Sequence, residues 1–129
     1  MFVVNAHPPE GPDMPDKSIP RVVPLSKARF APRFECGHMA QVAEVTGTGD
    51  GTQLGSGFVR MANAKIPWTV KYDEVILVLE GQLKVSTGDG DLAAGPLECI
   101  WLPSETELVY IADSALVFYA IQPANWAEG

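Results

Sequence analysis

The segment Pro67-Trp68-Thr69-Val70-Lys71-Tyr72-Asp73-Glu74-Val75-Ile76-Leu77-Val78-Leu79-Glu80-Gly81 carries the pattern that decides the fold of this 129-residue chain. Residues 75–79 are apolar at both parities, as in a strand with a packed interior on one side and a second sheet or subunit on the other. Residues 115–121 read the same way. Gln82-Leu83-Lys84-Val85-Ser86 alternates instead, placing Leu83 and Val85 on one face and Lys84 on the other, as a half-exposed strand does. Gly81 between them predicts a tight hairpin joining a buried strand to an exposed one.

The same punctuation extends in both directions. Gly47-Thr48-Gly49-Asp50-Gly51, Gly55-Ser56-Gly57, Gly88-Asp89-Gly90-Asp91, Gly95-Pro96 and Pro103 separate short runs rich in Val, Ile, Leu and aromatics. The predicted strands are 39–46, 57–62, 74–80, 82–87, 98–102, 108–111 and 115–122. No segment between 47 and 123 offers a capped helix of three turns. Many short strands with Gly-rich turns form an all-β sandwich or closed barrel, because each strand must bury at least one face. One domain accounts for the length. Its expected form is an antiparallel β-barrel or jelly roll within residues 35–129. Residues 1–34 are expected to be an extended arm, since Pro8, Pro9, Pro12, Pro15, Pro20, Pro24 and Pro32 oppose both helix and central strand. Val22-Val23 and Phe30 are its pieces suited to dock as edge strands.

Composition excludes several functions. Nine Lys and Arg against 16 Asp and Glu give a net charge of −7, and no basic stripe is available to neutralise a nucleic-acid backbone. No apolar run is long enough for a membrane helix and no signal peptide is evident, so a cytoplasmic protein is expected. Cys36 and Cys99 sit in no metal or redox spacing and read as free thiols. The two runs apolar at both parities exceed what so small a domain covers by itself, which points to a homodimer.

Glu74-x6-Gly81 resembles the second half of the first cupin motif, G-x5-H-x-H-x(3,4)-E-x6-G. The two histidine positions fall on Pro67 and Thr69 with the longer spacing, or on Trp68 and Val70 with the shorter. If Pro103 is the proline of the second motif, G-x5-P-x-G-x2-H-x3-N, then Leu97 and Glu105 replace its glycines and Leu108 stands at the third ligand position. Glu74 alone does not hold a transition metal. No metal and no other cofactor is therefore expected; His7 and His38 lie outside both motifs.

A narrower resemblance covers about residues 55–126. Gly55-Ser56-Gly57-Phe58, Asn63-Ala64, Pro67-Trp68-Thr69, Tyr72-Asp73-Glu74, Val78-Leu79-Glu80-Gly81 and Pro123-Ala124-Asn125-Trp126 are similar to the cupin domain of ethanolamine-utilization proteins of the EutQ type, which share the loss of metal histidines. The resemblance implies a cupin fold and, because members are linked with it, acetate kinase activity. The residues add no phosphate-binding loop of the G-x-x-x-x-G-K-[ST] kind to that implication. Larger members carry an additional N-terminal region that the arm here is too short to supply.

If the barrel mouth is the pocket, Trp68, Thr69, Tyr72 and Glu74 aim into it, with Asp73 and Lys71 at the rim and Glu98 and Tyr110 joining from neighbouring strands. Tyr72, Asp73 and Glu74 are the candidate catalytic residues, a tyrosine hydroxyl beside a partly buried carboxylate being able to serve as acid and base. Trp68, Thr69, Lys71, Glu98 and Tyr110 are candidate substrate contacts. Two functions stay open: a metal-independent enzyme acting on a small carboxylate, phosphate or amino-alcohol, and a non-catalytic module that holds such a metabolite. Trp101 and Trp126 read as core or interface anchors.

Overall fold

The structure, a computed structural model, describes residues 19–33 and 37–128. Eight strands occur among them: β1 (Ala31–Pro32), β2 (Ala40–Thr46), β3 (Gly55–Thr69), β4 (Asp73–Gly81), β5 (Leu83–Thr87), β6 (Gly90–Ala94), β7 (Cys99–Leu102) and β8 (Glu107–Gln122). All neighbours are antiparallel. One layer runs β1-β2-β3-β8-β4-β7, and the second continues from the far halves of β3 and β8 through β5 to β6. This is the expected all-β jelly-roll barrel.

The two long strands join the layers. Inward-facing residues of β3 run Val59, Met61, then Ala64, Ile66, and those of β8 run Leu108, Tyr110, Ala112, then Ala115, Val117, Tyr119. Each phase slips at one exposed pair, Ala62-Asn63 and Asp113-Ser114, where Asn63 takes a φ of 46°. The slip lets each strand turn a corner without exposing its apolar set. Residues 57–62, predicted as a complete strand, are thus only part of β3, and 108–111 and 115–122 are two halves of β8. The predicted turn at 88–91 opens into β6, which the sequence reading missed because Leu92 is its only large apolar residue.

Gly81 does not close a hairpin. β4 pairs with β7 and β8, whereas β5 pairs with β6 and β8, so Gly81 carries the chain from one layer to the other. Of the arm, residues 19–33 are seen. Neither Val22-Val23 nor Phe30 forms a strand; β1 is Ala31–Pro32, and Leu25–Lys27 makes a single 3-10 turn. Residues 1–18 and 34–36, with His7 and Cys36, lie outside the described residues; Cys99 is an exposed free thiol. Among the described residues no helix is long and apolar enough to cross a membrane.

Candidate functional site

Alternation along the end of β3 and the start of β4 gathers one buried cluster, the chamber of the barrel end. Ile66, Trp68 and Val70 turn inward, the chain reverses, and Tyr72, Glu74 and Ile76 turn inward again. Tyr110 reaches the same chamber from β8, where it pairs with Ile66 and Val85. Its hydroxyl donates to Glu74 Oε1 at 3.0 Å. Glu74 is 1% exposed, Tyr72 1% and Tyr110 0%.

An aromatic wall closes one side. The Trp68 and Trp126 rings meet edge-on at 5.7 Å, and Tyr72 meets Trp126 at 5.2 Å. The Arg33 guanidinium lies 4.5 Å over the Trp68 ring. Four buried polar atoms of this cluster have no hydrogen-bond partner among the described residues: Tyr72 Oη, Glu74 Oε2, Trp68 Nε1 and Trp126 Nε1. Native interiors pair such groups with protein, water or ligand, so their convergence makes this cluster the candidate site.

Burial pushes the Glu74 carboxyl up from its ordinary range, against the pull of the Tyr110 hydrogen bond and the Arg33 charge. Burial and the neighbouring Glu74 also hold Tyr110 well above its ordinary value, so it stays a phenol. With Tyr110 donating to Oε1, a protonated Glu74 presents its own O–H from Oε2. The chamber then offers four neutral donors beside one guanidinium.

Of the residues singled out in the sequence, Trp68, Tyr72, Glu74 and Tyr110 come together here. Thr69 does not join them, because strand parity turns it to the opposite face from Trp68. Lys71 is exposed and pairs with Glu105 at 3.5 Å. Asp73 is exposed and accepts from the Ser104 amide at 3.0 Å. Glu98, also exposed, accepts from the Gly95 amide at 2.7 Å and closes a turn. These three carboxylate and ammonium groups serve loops, not the chamber. Arg33 escaped the sequence reading because a lone arginine in a Pro-rich arm belongs to no period or motif.

The inward positions Trp68 and Val70 show that the shorter motif spacing applies, with Leu108 buried directly across from Trp68. An indole, an isopropyl and an isobutyl group stand where cupin imidazoles would. Among the described residues no group of three His, Cys, Asp or Glu side chains converges. The chamber does not fit a transition-metal cofactor. Elemental analysis of chelator-dialysed protein is expected to find iron, zinc, nickel and manganese far below one equivalent; near-stoichiometric metal would refute this ligand assignment.

The family profile described as ethanolamine utilisation protein EutQ matches residues 15–128. The chain belongs to the EutQ family. The Escherichia coli K12 protein named acetate kinase EutQ is 30% identical over 109 residues, covering 82% of this chain and 46% of its own length. A Clostridioides difficile acetate kinase EutQ is 26% identical over 110 residues, 82% of this chain and 70% of its own. The chain thus spans about half the length of the Escherichia coli EutQ it matches. The crystal structure of the Salmonella typhimurium LT2 ethanolamine utilization protein Q superimposes with a TM-score of 0.75 at 26% identity, covering 81% of this chain and 86% of that one.

Proposed function

We propose that this EutQ-family barrel takes a small carboxylate metabolite, acetate being the simplest, into the Glu74 chamber within cytoplasmic ethanolamine and acetate metabolism. The observation that carries the reading is the polar set: Tyr72 Oη, Trp68 Nε1, Trp126 Nε1 and Glu74 Oε2 have no hydrogen-bond partner among the described residues and lie beside Arg33. Donors without acceptors favour an anion. An amino-alcohol cation would need an open aromatic face, and Arg33 already covers that of Trp68. The relatives' name adds phosphoryl transfer to acetate, with Glu74 and Tyr72 as the acid–base pair. A purely binding role is the second reading. It is favoured by the absence, among the described residues, of any α-helix whose N-terminus could hold a nucleotide phosphate.

Thermal shift against acetate, acetyl phosphate and ethanolamine tests the site. The two anions should raise the melting temperature and ethanolamine should not. Glu74→Leu removes the donor at similar volume and should abolish the acetate response, whereas Glu74→Gln still offers an N–H and should keep part of it. A full acetate response in Glu74→Leu would rule the chamber out. ATP-dependent acetyl phosphate formation separates kinase from binding module.

We also propose that the protein is an isologous homodimer. On the outer face, Trp101 and Val75 are neighbours across β7 and β4, 57% and 43% exposed, with Leu77 and Phe118 half-buried in the next row. On a chain of net charge −7 this apolar row is where two copies gain most from approach. Light scattering should give twice the 13.9 kDa chain mass, and Trp101→Glu should give monomer; a monomeric wild type defeats the idea.

A further inference from the structure

Glu74, Tyr72 and Tyr110 are sealed from water, yet a metabolite must reach them. The wall over Trp68 is made by Arg33, at the end of a segment paired to the barrel by a short edge ladder. Residues 19–33 run along the outer edge of β2, and their ladder with it is two residues long, Ala31 opposite Val42 and Pro32 opposite Gln41. Pro32 has no amide to donate. Beyond it, the Arg33 amide donates to the Ala40 carbonyl at 3.1 Å. Farther back, Arg21 donates to the Val45 carbonyl at 2.9 Å and to Asp50 Oδ1 at 3.3 Å, both at the surface, and Arg60 lies 5.1 Å over the Phe30 ring. The 3-10 turn Leu25–Lys27 has no fully buried residue, Leu25 being half-buried.

A ladder of two residues at a sheet edge, one of them a proline without an amide, is the kind of attachment that opens locally before the barrel unfolds. The β3–β8 ladder beneath it, by contrast, runs from Gly55 opposite Ile121 to Thr69 opposite Glu107. What this weakly held segment carries at its end is costly to place by chance: Arg33 is 3% exposed, stacked on Trp68, and its charge acts on both Glu74 and Tyr110. Removing the segment would uncover the Trp68 face while leaving every strand of the chamber in place.

We propose that residues 19–33 form a strap that lifts from the edge of β2 to admit the ligand, and that Arg33 returns with the strap to supply the guanidinium facing the bound anion. Arg33 is then a gate and a specificity residue together. The inference rests on the chamber being the ligand site, but its mechanical half is measurable without any ligand.

Pro32 and Gln41 are exposed Cα partners on adjacent antiparallel strands, a spacing a disulfide can bridge. The test uses the Pro32→Cys, Gln41→Cys double variant in a Cys36→Ser, Cys99→Ser, Trp101→Phe background, so that fluorescence reports Trp68 and Trp126 alone. Oxidation should cut acrylamide quenching of these indoles several-fold and slow acetate association by a similar factor; reduction should restore both. Arg33→Ala should raise quenching and weaken acetate binding roughly tenfold, and Arg33→Lys should recover part of the affinity. Equal quenching and equal acetate association in the oxidised and reduced forms would overturn the strap. If acetate binds neither form while quenching still responds to the cross-link, the strap stands and the carboxylate reading falls.

Discussion

Gly81→Ala is expected to cost about 3–5 kcal/mol, enough to leave little folded protein under mild denaturant. Gly81 has a φ of 78°, where a Cβ alone is disfavoured. The larger contribution is steric. A Cβ at this position would lie 2.0 Å from the Ser114 carbonyl oxygen, 2.9 Å from its carbon and 3.1 Å from the Ala115 Cα, all backbone of β8. Backbone in a ladder cannot step aside as a side chain does, so β4 and β8 would have to part where the chain crosses between layers. Gly88→Ala is the matched control, with nothing within 4 Å of the added carbon, and should stay within about 0.5 kcal/mol of wild type. Urea unfolding of the two variants side by side settles the matter; a Gly81→Ala protein within 1 kcal/mol of Gly88→Ala would show that the crossover is softer than described.

The same glycine shows how far the sequence could be read. That something turns at Gly81 is written in the switch from two-sided to alternating hydrophobicity. Which strand the chain meets next is not, because pairing is decided by β8, whose Ala115 opposite Gly81 lies 34 residues further on. The corners in β3 and β8 were hidden for a related reason: a one-residue phase slip at Asn63 or Ser114 looks like the end of a strand, so each long strand was read as shorter pieces. Trp68, Tyr72 and Glu74 were legible because period-two spacing puts them on one face, and Tyr110 because it lies on a neighbouring strand at the same parity. Thr69, Lys71 and Asp73 were drawn in by adjacency to those residues, which in a strand guarantees the opposite face or a loop. Arg33 and Trp126 enter the chamber from the two ends of the described chain, by tertiary placement that no local pattern encodes.

Glu44 supplies the last expected result: Glu44→Gln should make the protein more stable than wild type at pH 8, with a clearly smaller gain near pH 5.5. Glu44 lies on β2 beside the register shift before Thr46, opposite Gly57, with Tyr119 next across the sheet. Its carboxylate lies against Gly47, where an added Cβ would strike Oε1 and Cδ, while the buried Tyr119 hydroxyl lies over Gly57. The charged groups facing Glu44 from the adjoining turn are Asp50 and, through its contact with Asp50, Arg21. Burial, and then the Asp50 charge, push the Glu44 carboxyl up from 4.5 to about 7. In the unfolded chain it releases its proton near 4.5; in the folded chain it keeps it until about 7. Between these values the native state binds the extra proton, so the contribution to stability is fully present below the lower value and lost as pH rises through the upper one. After allowance for partial exposure, the loss at pH 8 is about 1–2 kcal/mol, or a melting temperature lower by roughly 4–8 °C. Glu74, raised by burial, tilts the stability profile the same way. Glutamine mimics the protonated acid and has no proton to lose, so it should remove the Glu44 share of the slope. Melting curves from pH 5.5, safely above the isoelectric point near 4.6, to pH 8 provide the comparison. Parallel wild-type and Glu44→Gln profiles would mean that Glu44 is solvated in the native state and that its packing against Gly47 costs its charge nothing.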